Sequence, residues 1–185
     1  MRTKEKRGSL LWVLDKTESA PGARLLRRWL EHPLINPAHI IRRQCAVEEL
    51  VGNFLKREEL SELLSHVLDT ERLITKIVYG TANARDLRAV AATAAVLPEV
   101  KLLIEDCESE ELRRIWRELD TLEDVCSVVK ASICEDPPFS VREGGMIADG
   151  YSEEVDYLRS VMRDGKGWVE RVAAEEMERT GINTL

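Results

Sequence analysis

Apolar residues recur every three or four positions along almost the whole of this chain. That spacing places them on one face of an α-helix. Helix-start and helix-stop signals bound the apolar runs: Ser19 followed by Pro21 opens one run, and Pro33 ends it. Aromatic residues make up only 5% of the chain, a proportion that favours a helical protein over a β-rich one. The sequence therefore predicts an all-α fold.

The same signals predict a bundle of several short helices between the N-terminus and residue 134. A fifth helix, capped by Asn83, is rich in alanine, so a neighbouring helix could approach it closely. The other predicted features are a helix opening at Asn36-Pro37, an apolar stripe over residues 60–68, a helix ending before Gly80, further stripes after Pro98, and a capping signal at Thr121 and Asp124.

Residues 152–179 read as one long helix that projects from the bundle, with apolar residues three, four or seven positions apart. Its length would be roughly 40 Å. Gly165 and Gly167 each destabilise its middle by about 1 kcal/mol relative to alanine, so a bend would fall near them. The predicted organisation is a helical core over residues 1–134, a connecting loop over 135–151, and the start of a long helix over 152–185.

The net charge of -7 argues against a free-standing nucleic-acid binder, because contact with DNA phosphates requires an excess of Lys and Arg on one face. Each cluster of basic residues contains only two or three of them, which is typical of solvated helix faces. Cys45, Cys107, Cys126 and Cys134 are far apart and predict reduced, mostly buried thiols and no metal site. No apolar run approaches the roughly 18 residues that cross a bilayer, so a cytoplasmic protein without membrane contact is expected.

The stretch "CEDPPFSVREGGMIADGY", residues 134–151, interrupts the helical pattern. A phosphate-binding loop needs GxxxxGK followed by Ser or Thr, and "GGMIADG" has neither the lysine nor the hydroxyl. Two prolines favour an extended arm, and three glycines let the chain reverse. Paired carboxylates elsewhere are adjacent on helices and do not converge on one substrate. The sequence predicts no catalytic, cofactor-binding or metal-binding residue, and no enzyme.

Several motifs resemble the bacterial MutS family of DNA mismatch-repair proteins, and the most specific of them spans residues 136–159. The motifs follow one another in the order and spacing of that family, from about Gly8 to the last residue. They are "GSLLWVLDKT", "ARLLRRWLEHPL", "AVEEL", "LDTERLITKIVYGTANARDL", "DPPFSVREGGMIADGYSEEVDYLR" and "EEMERTGI".

This resemblance implies a fragment, the core and lever region of such a protein. In the family, mismatch-binding and connector domains precede this region, and a clamp, returning lever helices and an ABC-type ATPase follow it. ATP and magnesium are therefore expected in the ATPase domain of the parent and not in this chain. The implied partners are the rest of the MutS chain, its dimer partner, and mismatched double-stranded DNA bound by the intact parent, with weak or no DNA binding by the fragment.

Under the same resemblance, the loop is a structural joint that connects the core to the lever helix. The joint residues are Pro137, Pro138, Gly144, Gly145, Asp149, Gly150 and Tyr151. A long helix moves as a unit, so clamp closure and nucleotide state could bias one another through it. The apolar stripe from Val155 to Val172 would lack its usual partner in the fragment, which predicts self-association or a swapped packing.

An alternative is a stand-alone helical adaptor whose long C-terminal helix docks in a partner's groove or coiled coil. An enzyme in its own right is the weakest alternative, because it would require a pocket with convergent titratable groups.

Overall fold

The computed structural model describes residues 7–181, except for the side chains of Lys166 and Trp168. Its regular elements are helices, which confirms the all-α prediction. They are α1 (Leu10–Leu14), α2 (Ala20–Glu31), α3 (Pro37–Gly52), α4 (Phe54–Ser65), α5 (Thr70–Val78), α6 (Ala84–Leu103), α7 (Glu110–Glu118), α8 (Glu123–Ser132), a 3₁₀ turn (Val141–Glu143), α9 (Glu153–Arg163) and α10 (Gly165–Thr180). No described helix is long and apolar enough to span a membrane.

Local capping signals correctly predicted where several helices begin and end. Ser19, Asn36 and Asn83 are N-caps whose side chains accept hydrogen bonds from backbone N–H groups in the first turns of α2, α3 and α6. Asp86 completes a reciprocal capping box with Asn83. Gly80 lies just beyond α5 at a φ of +67°, the left-handed conformation that glycine adopts most readily after a helix.

The helix predicted from the apolar stripe over residues 60–68 is shorter in the structure, because α4 ends at Ser65. The backbone N–H of Leu68 instead donates to the buried hydroxyl of Thr93, at 3.2 Å. Pro98 lies inside α6, which continues through it to Leu103. The extra turn is stabilised by packing, since the nearby Val100 and Ile104 are buried.

The capping signal at Thr121 and Asp124 does not form. Leu122 is the N-cap of α8, at a φ of +52°, and no side chain caps that end. The hydroxyl of Thr121 lies 3.3 Å from the Glu123 carboxylate, and Asp120 accepts the N–H of Leu122 at 3.0 Å. A short-range polar turn therefore replaces the predicted capping box.

Two groups of buried side chains hold the bundle together. The first joins α6 to α8 and contains Ala84, Ala91, Ala94, Cys126, Val129 and Ile133. The second joins α3, the end of α6 and α7, and contains Ala46, Ile104, Cys107 and Leu112. Small alanines in α6 allow the close approach of α8, as the composition of that helix indicated. Cys107 and Cys126 are buried, whereas Cys45 is exposed and Cys134 is half-buried. The prediction that the thiols are mostly buried is therefore correct for only two of the four.

The predicted single long helix is two helices, α9 and α10, separated at Asp164. Asp164 still donates its N–H to the carbonyl of Ser160 at 2.8 Å, but Gly165 follows it immediately. The interruption lies where glycines remove helix propensity. No described side chain from Glu153 to Gly181 is buried. We call this pair of helices the arm.

Candidate functional site: the joint between the bundle and the arm

The chain between α8 and α9 folds back onto the end of α8 before it enters the arm. Ile133 and Ile147 form an isolated antiparallel bridge. The N–H of Cys134 donates to the carbonyl of Met146 at 3.0 Å, and the N–H of Ala148 donates to the carbonyl of Ser132 at 2.9 Å. Met146 also packs against the buried cluster of α6 and α8. The returning segment is thus attached to the bundle by backbone hydrogen bonds and by apolar packing.

Residues 135–145 lie between the two sides of this bridge, and we call them the side loop. Pro137 is buried, and its carbonyl accepts a hydrogen bond from Nε of Arg85 at 2.7 Å. The same guanidinium lies 3.6 Å from the carboxylate of Asp136. Arg85 belongs to the first turn of α6, so the proline end of the side loop is held against the bundle. Pro138 is half-buried beside it.

The far end of the side loop is a short polar turn. Ser140 and Glu143 cap the 3₁₀ turn reciprocally, with the N–H of Ser140 donating to the Glu143 carboxylate at 3.0 Å. Gly144 then has a φ of +69° and a ψ of −173°, a combination that is essentially restricted to glycine. Gly145 has a φ of +75°. Both glycines are exposed, and the chain reverses at them to return to the bridge.

Polar contacts also connect the returning segment to α9. Arg159 of α9 donates to the carbonyl of Ile147 at 2.6 Å and to the carboxylate of Asp149 at 2.7 Å. The carboxylate of Asp156, also in α9, accepts the N–H of Gly150 at 2.8 Å. Ser152 caps α9 by accepting the N–H of Val155. The arm is therefore attached to the bridge segment by side chains of its own first turns.

The predicted joint residues fall into two groups in the structure. Pro137, Pro138, Gly144 and Gly145 lie in the side loop. Asp149, Gly150 and Tyr151 lie between the bridge and α9, where Asp149 and Gly150 make the contacts just described and Tyr151 is about half exposed. The side chains that hold these groups in place, Arg85, Met146, Arg159 and Asp156, were not predicted. Helical spacing could not indicate them, because three of the contacts are to backbone groups.

The described residues contain no group of three or more His, Cys, Asp or Glu side chains that could hold a metal ion. One polar cluster in the bundle includes a thiol: Lys56 pairs with Asp106 beside Cys107. Burial, together with the charge of Glu49, raises the pKa of the Cys107 thiol. A buried thiol that stays protonated is a poor nucleophile.

The described residues thus define an all-α bundle with a solvent-exposed helical arm on a hydrogen-bonded joint. The family model of MutS domain III matches residues 1–184. The chain therefore belongs to the MutS family, and corresponds to its domain III.

Curated relatives agree with this assignment. The chain is 48% identical over 185 residues to a protein of Ruminiclostridium cellulolyticum, 47% identical over 185 residues to one of Lachnoclostridium phytofermentans, and 41% identical over 184 residues to one of Streptococcus thermophilus; each is named DNA mismatch repair protein MutS. All three matches cover 100% of this chain, but only 21%, 20% and 22% of the respective relatives. The chain thus spans about a fifth of the length of the relatives it matches.

Proposed function

We propose that this chain is the core and first lever segment of a MutS-type mismatch-repair protein, in which it links DNA contact to nucleotide state and catalyses no reaction itself. The observation that carries the proposal is the attachment of the arm. Helix α9 is held by Arg159 and Asp156 to the segment that is bridged to the bundle, while no described side chain of the arm is buried. A helix attached at one end and free along its length can pass a movement of the bundle to a distant domain.

The intact protein is expected to bind mismatched double-stranded DNA, to dimerise, and to bind and hydrolyse ATP with magnesium in a separate domain. The isolated chain is expected to hydrolyse no nucleotide and to bind DNA weakly or not at all. A salt-sensitive DNA complex of the isolated chain with a Kd in the micromolar range or below would contradict this expectation. The adaptor alternative has no observation of its own in its favour once the family is known.

The test is an insertion of two glycines between Gly150 and Tyr151 in an intact MutS protein that contains this region. The insertion lengthens the connection between bundle and arm and leaves every other domain unchanged. We expect mismatch affinity without nucleotide and ATP hydrolysis without DNA to stay close to wild type. The change in mismatch affinity on adding ATP should shrink about tenfold, because coupling free energies between sites are typically about 1–3 kcal/mol.

A matched insertion of two glycines after Ile35 controls for the effect of added flexibility. Ile35 lies in the connection between α2 and α3 and is 93% exposed. That variant should keep the wild-type response to ATP. A joint insertion that leaves the response to ATP unchanged would refute the proposed coupling role.

A further inference from the structure

We infer that Arg159 is the residue that positions the arm relative to the bundle. It does so through residues 147–150, which are bridged directly to the end of α8, and the side loop contributes nothing to the position of the arm. The structural part of this inference is independent of the proposed function. Its consequence for mismatch repair rests on that function.

The bridge shortens the connection between α8 and α9. Along the chain, the side loop separates Ile133 from Ile147, but the two residues are paired directly. Hydrogen bonds on both sides of the pair, from Cys134 to Met146 and from Ala148 to Ser132, fix its register. Any displacement of the end of α8 therefore reaches Ile147 across the bridge, and the chain between them need not transmit it.

Arg159 continues this connection into α9. Its guanidinium contacts the Ile147 carbonyl at 2.6 Å, the Asp149 carboxylate at 2.7 Å and the Asp156 carboxylate at 3.6 Å. The Arg159 side chain is only 20% exposed, although that of Asp149 is 83% exposed. A planar guanidinium with several N–H donors can bond a carbonyl and a carboxylate at the same time, whereas a lysine ammonium has no such fixed geometry.

Asp156 supplies a second point of attachment on the same face of α9. It lies three residues before Arg159, a spacing that places both side chains on one side of a helix. Its carboxylate accepts the N–H of Gly150 at 2.8 Å. Two attachments on one face restrict both the tilt of α9 and its rotation about its own axis, which a single contact could not do.

The glycines of the joint therefore differ in whether they lie in the direct connection to α9 or in the side loop. Gly150, at a φ of +83°, lies in the direct connection between the bridge and α9. Gly144 and Gly145 lie in the bypassed side loop. A change at Gly144 should therefore alter local backbone strain without moving the arm.

The test measures distances between two nitroxide labels by pulsed electron paramagnetic resonance on the 185-residue chain. The labels replace Val128 on α8 and Met162 on α9, which are 59% and 84% exposed, and are attached through a keto amino acid so that the native thiols do not react. The labelled chain is diluted with unlabelled chain so that self-association adds no distances between labelled chains. The wild type should give one narrow distance distribution. Arg159→Ala should lose that single narrow maximum and give a broad distribution. Arg163→Ala, an arginine of the same helix with no described partner, and Gly144→Ala should keep the wild-type distribution.

A narrow distribution in Arg159→Ala would overturn the positioning role, and a broad one in Gly144→Ala would overturn the bypass of the side loop. Circular dichroism confirms that each variant remains folded. Should Arg159→Ala fail to fold, Arg159→Lys provides the same test, because lysine keeps the positive charge but lacks the planar guanidinium. The distance distribution of Arg159→Lys should be broader than that of the wild type. The same substitution in an intact MutS protein separates the two proposals. If Arg159→Ala broadens the distance distribution of the isolated chain but leaves the effect of ATP on the mismatch affinity of the intact protein unchanged, the positioning role is supported and the coupling function is refuted.

Discussion

Replacing Glu49 of α3 by glutamine should destabilise the start of α7, 60 residues further along the chain. The two carboxylate oxygens of Glu49 accept the backbone N–H groups of Glu108 and Ser109 at 2.7 and 2.8 Å. Ser109 is the N-cap of α7, and its own side chain makes no capping hydrogen bond. Glu49 therefore performs from another helix the role that a local cap performs elsewhere.

The expected loss follows from these two hydrogen bonds. Hydrogen bonds to a charged group contribute about 1.5–3 kcal/mol each, and loss of an N-cap costs about 0.5–2 kcal/mol. Glu49→Gln keeps one acceptor oxygen but replaces the other with an amide NH₂, which cannot accept from a backbone N–H. We expect a loss of about 2 kcal/mol in the free energy of unfolding, or about 4–8 °C in Tm for a chain of this size.

The stability difference between the wild type and Glu49→Gln should depend on pH in a definite direction. Burial alone would raise the pKa of Glu49, but hydrogen bonds from Ser109 and from the backbone of Glu108 outweigh burial, and the pKa lies below its ordinary value. A lowered pKa in the folded state means that the stabilisation is present above about pH 4 and is lost as pH falls through the folded pKa. The difference between wild type and Glu49→Gln should be constant near neutral pH and should shrink under acid conditions.

Urea unfolding followed by circular dichroism at a series of pH values measures this difference. Glu48→Gln is the matched control, because Glu48 is its exposed neighbour and has no described hydrogen-bond or ion-pair partner. The control should unfold like the wild type. Equal stability of the Glu49 and Glu48 variants, or a Glu49 difference that persists unchanged at pH 3, would refute the capping role.

Two further predictions concern the bundle interior and the arm. Thr93→Val leaves the N–H of Leu68 without its acceptor, in a site where Thr93 is 4% exposed. In urea titrations it should lower the free energy of unfolding by about 1–3 kcal/mol, whereas Thr93→Ser should keep most of the stability. Equal losses in both variants would count against the hydrogen bond. The apolar face of α9, with Leu158 53% and Met162 84% exposed, should make the isolated chain self-associate in light scattering. The double change Leu158→Glu with Met162→Glu should shift it toward the monomer more than Val128→Glu does; a wild-type chain that stays monomeric at high concentration would contradict this expectation.

The features that the sequence predicted correctly depend on residues close together in the chain. Ser19, Asn36 and Asn83 cap helices because each side chain reaches a backbone N–H two or three residues away. The capping signal predicted at Thr121 was wrong because competing contacts decide the outcome there, and distant contacts determine how far α6 continues beyond Pro98. Burial of Ile104 extends α6 past the proline, and local polar contacts replace the capping box before α8. Propensity is a weak guide wherever tertiary packing opposes it.

The side chains that organise the joint were missed for a different reason. Arg159 binds the carbonyl of Ile147, Arg85 binds the carbonyl of Pro137, and Glu49 binds N–H groups before α7. Every residue type except proline offers the same backbone groups, so no pattern of residue identities marks where such a partner lies. Three of the predicted joint residues, Gly144, Gly145 and Gly150, have a positive φ, a conformation that glycine in the sequence can indicate. The residues that hold those conformations against the bundle are ordinary helix-surface arginines and acids, and they become identifiable only when the fold brings them to the bridge.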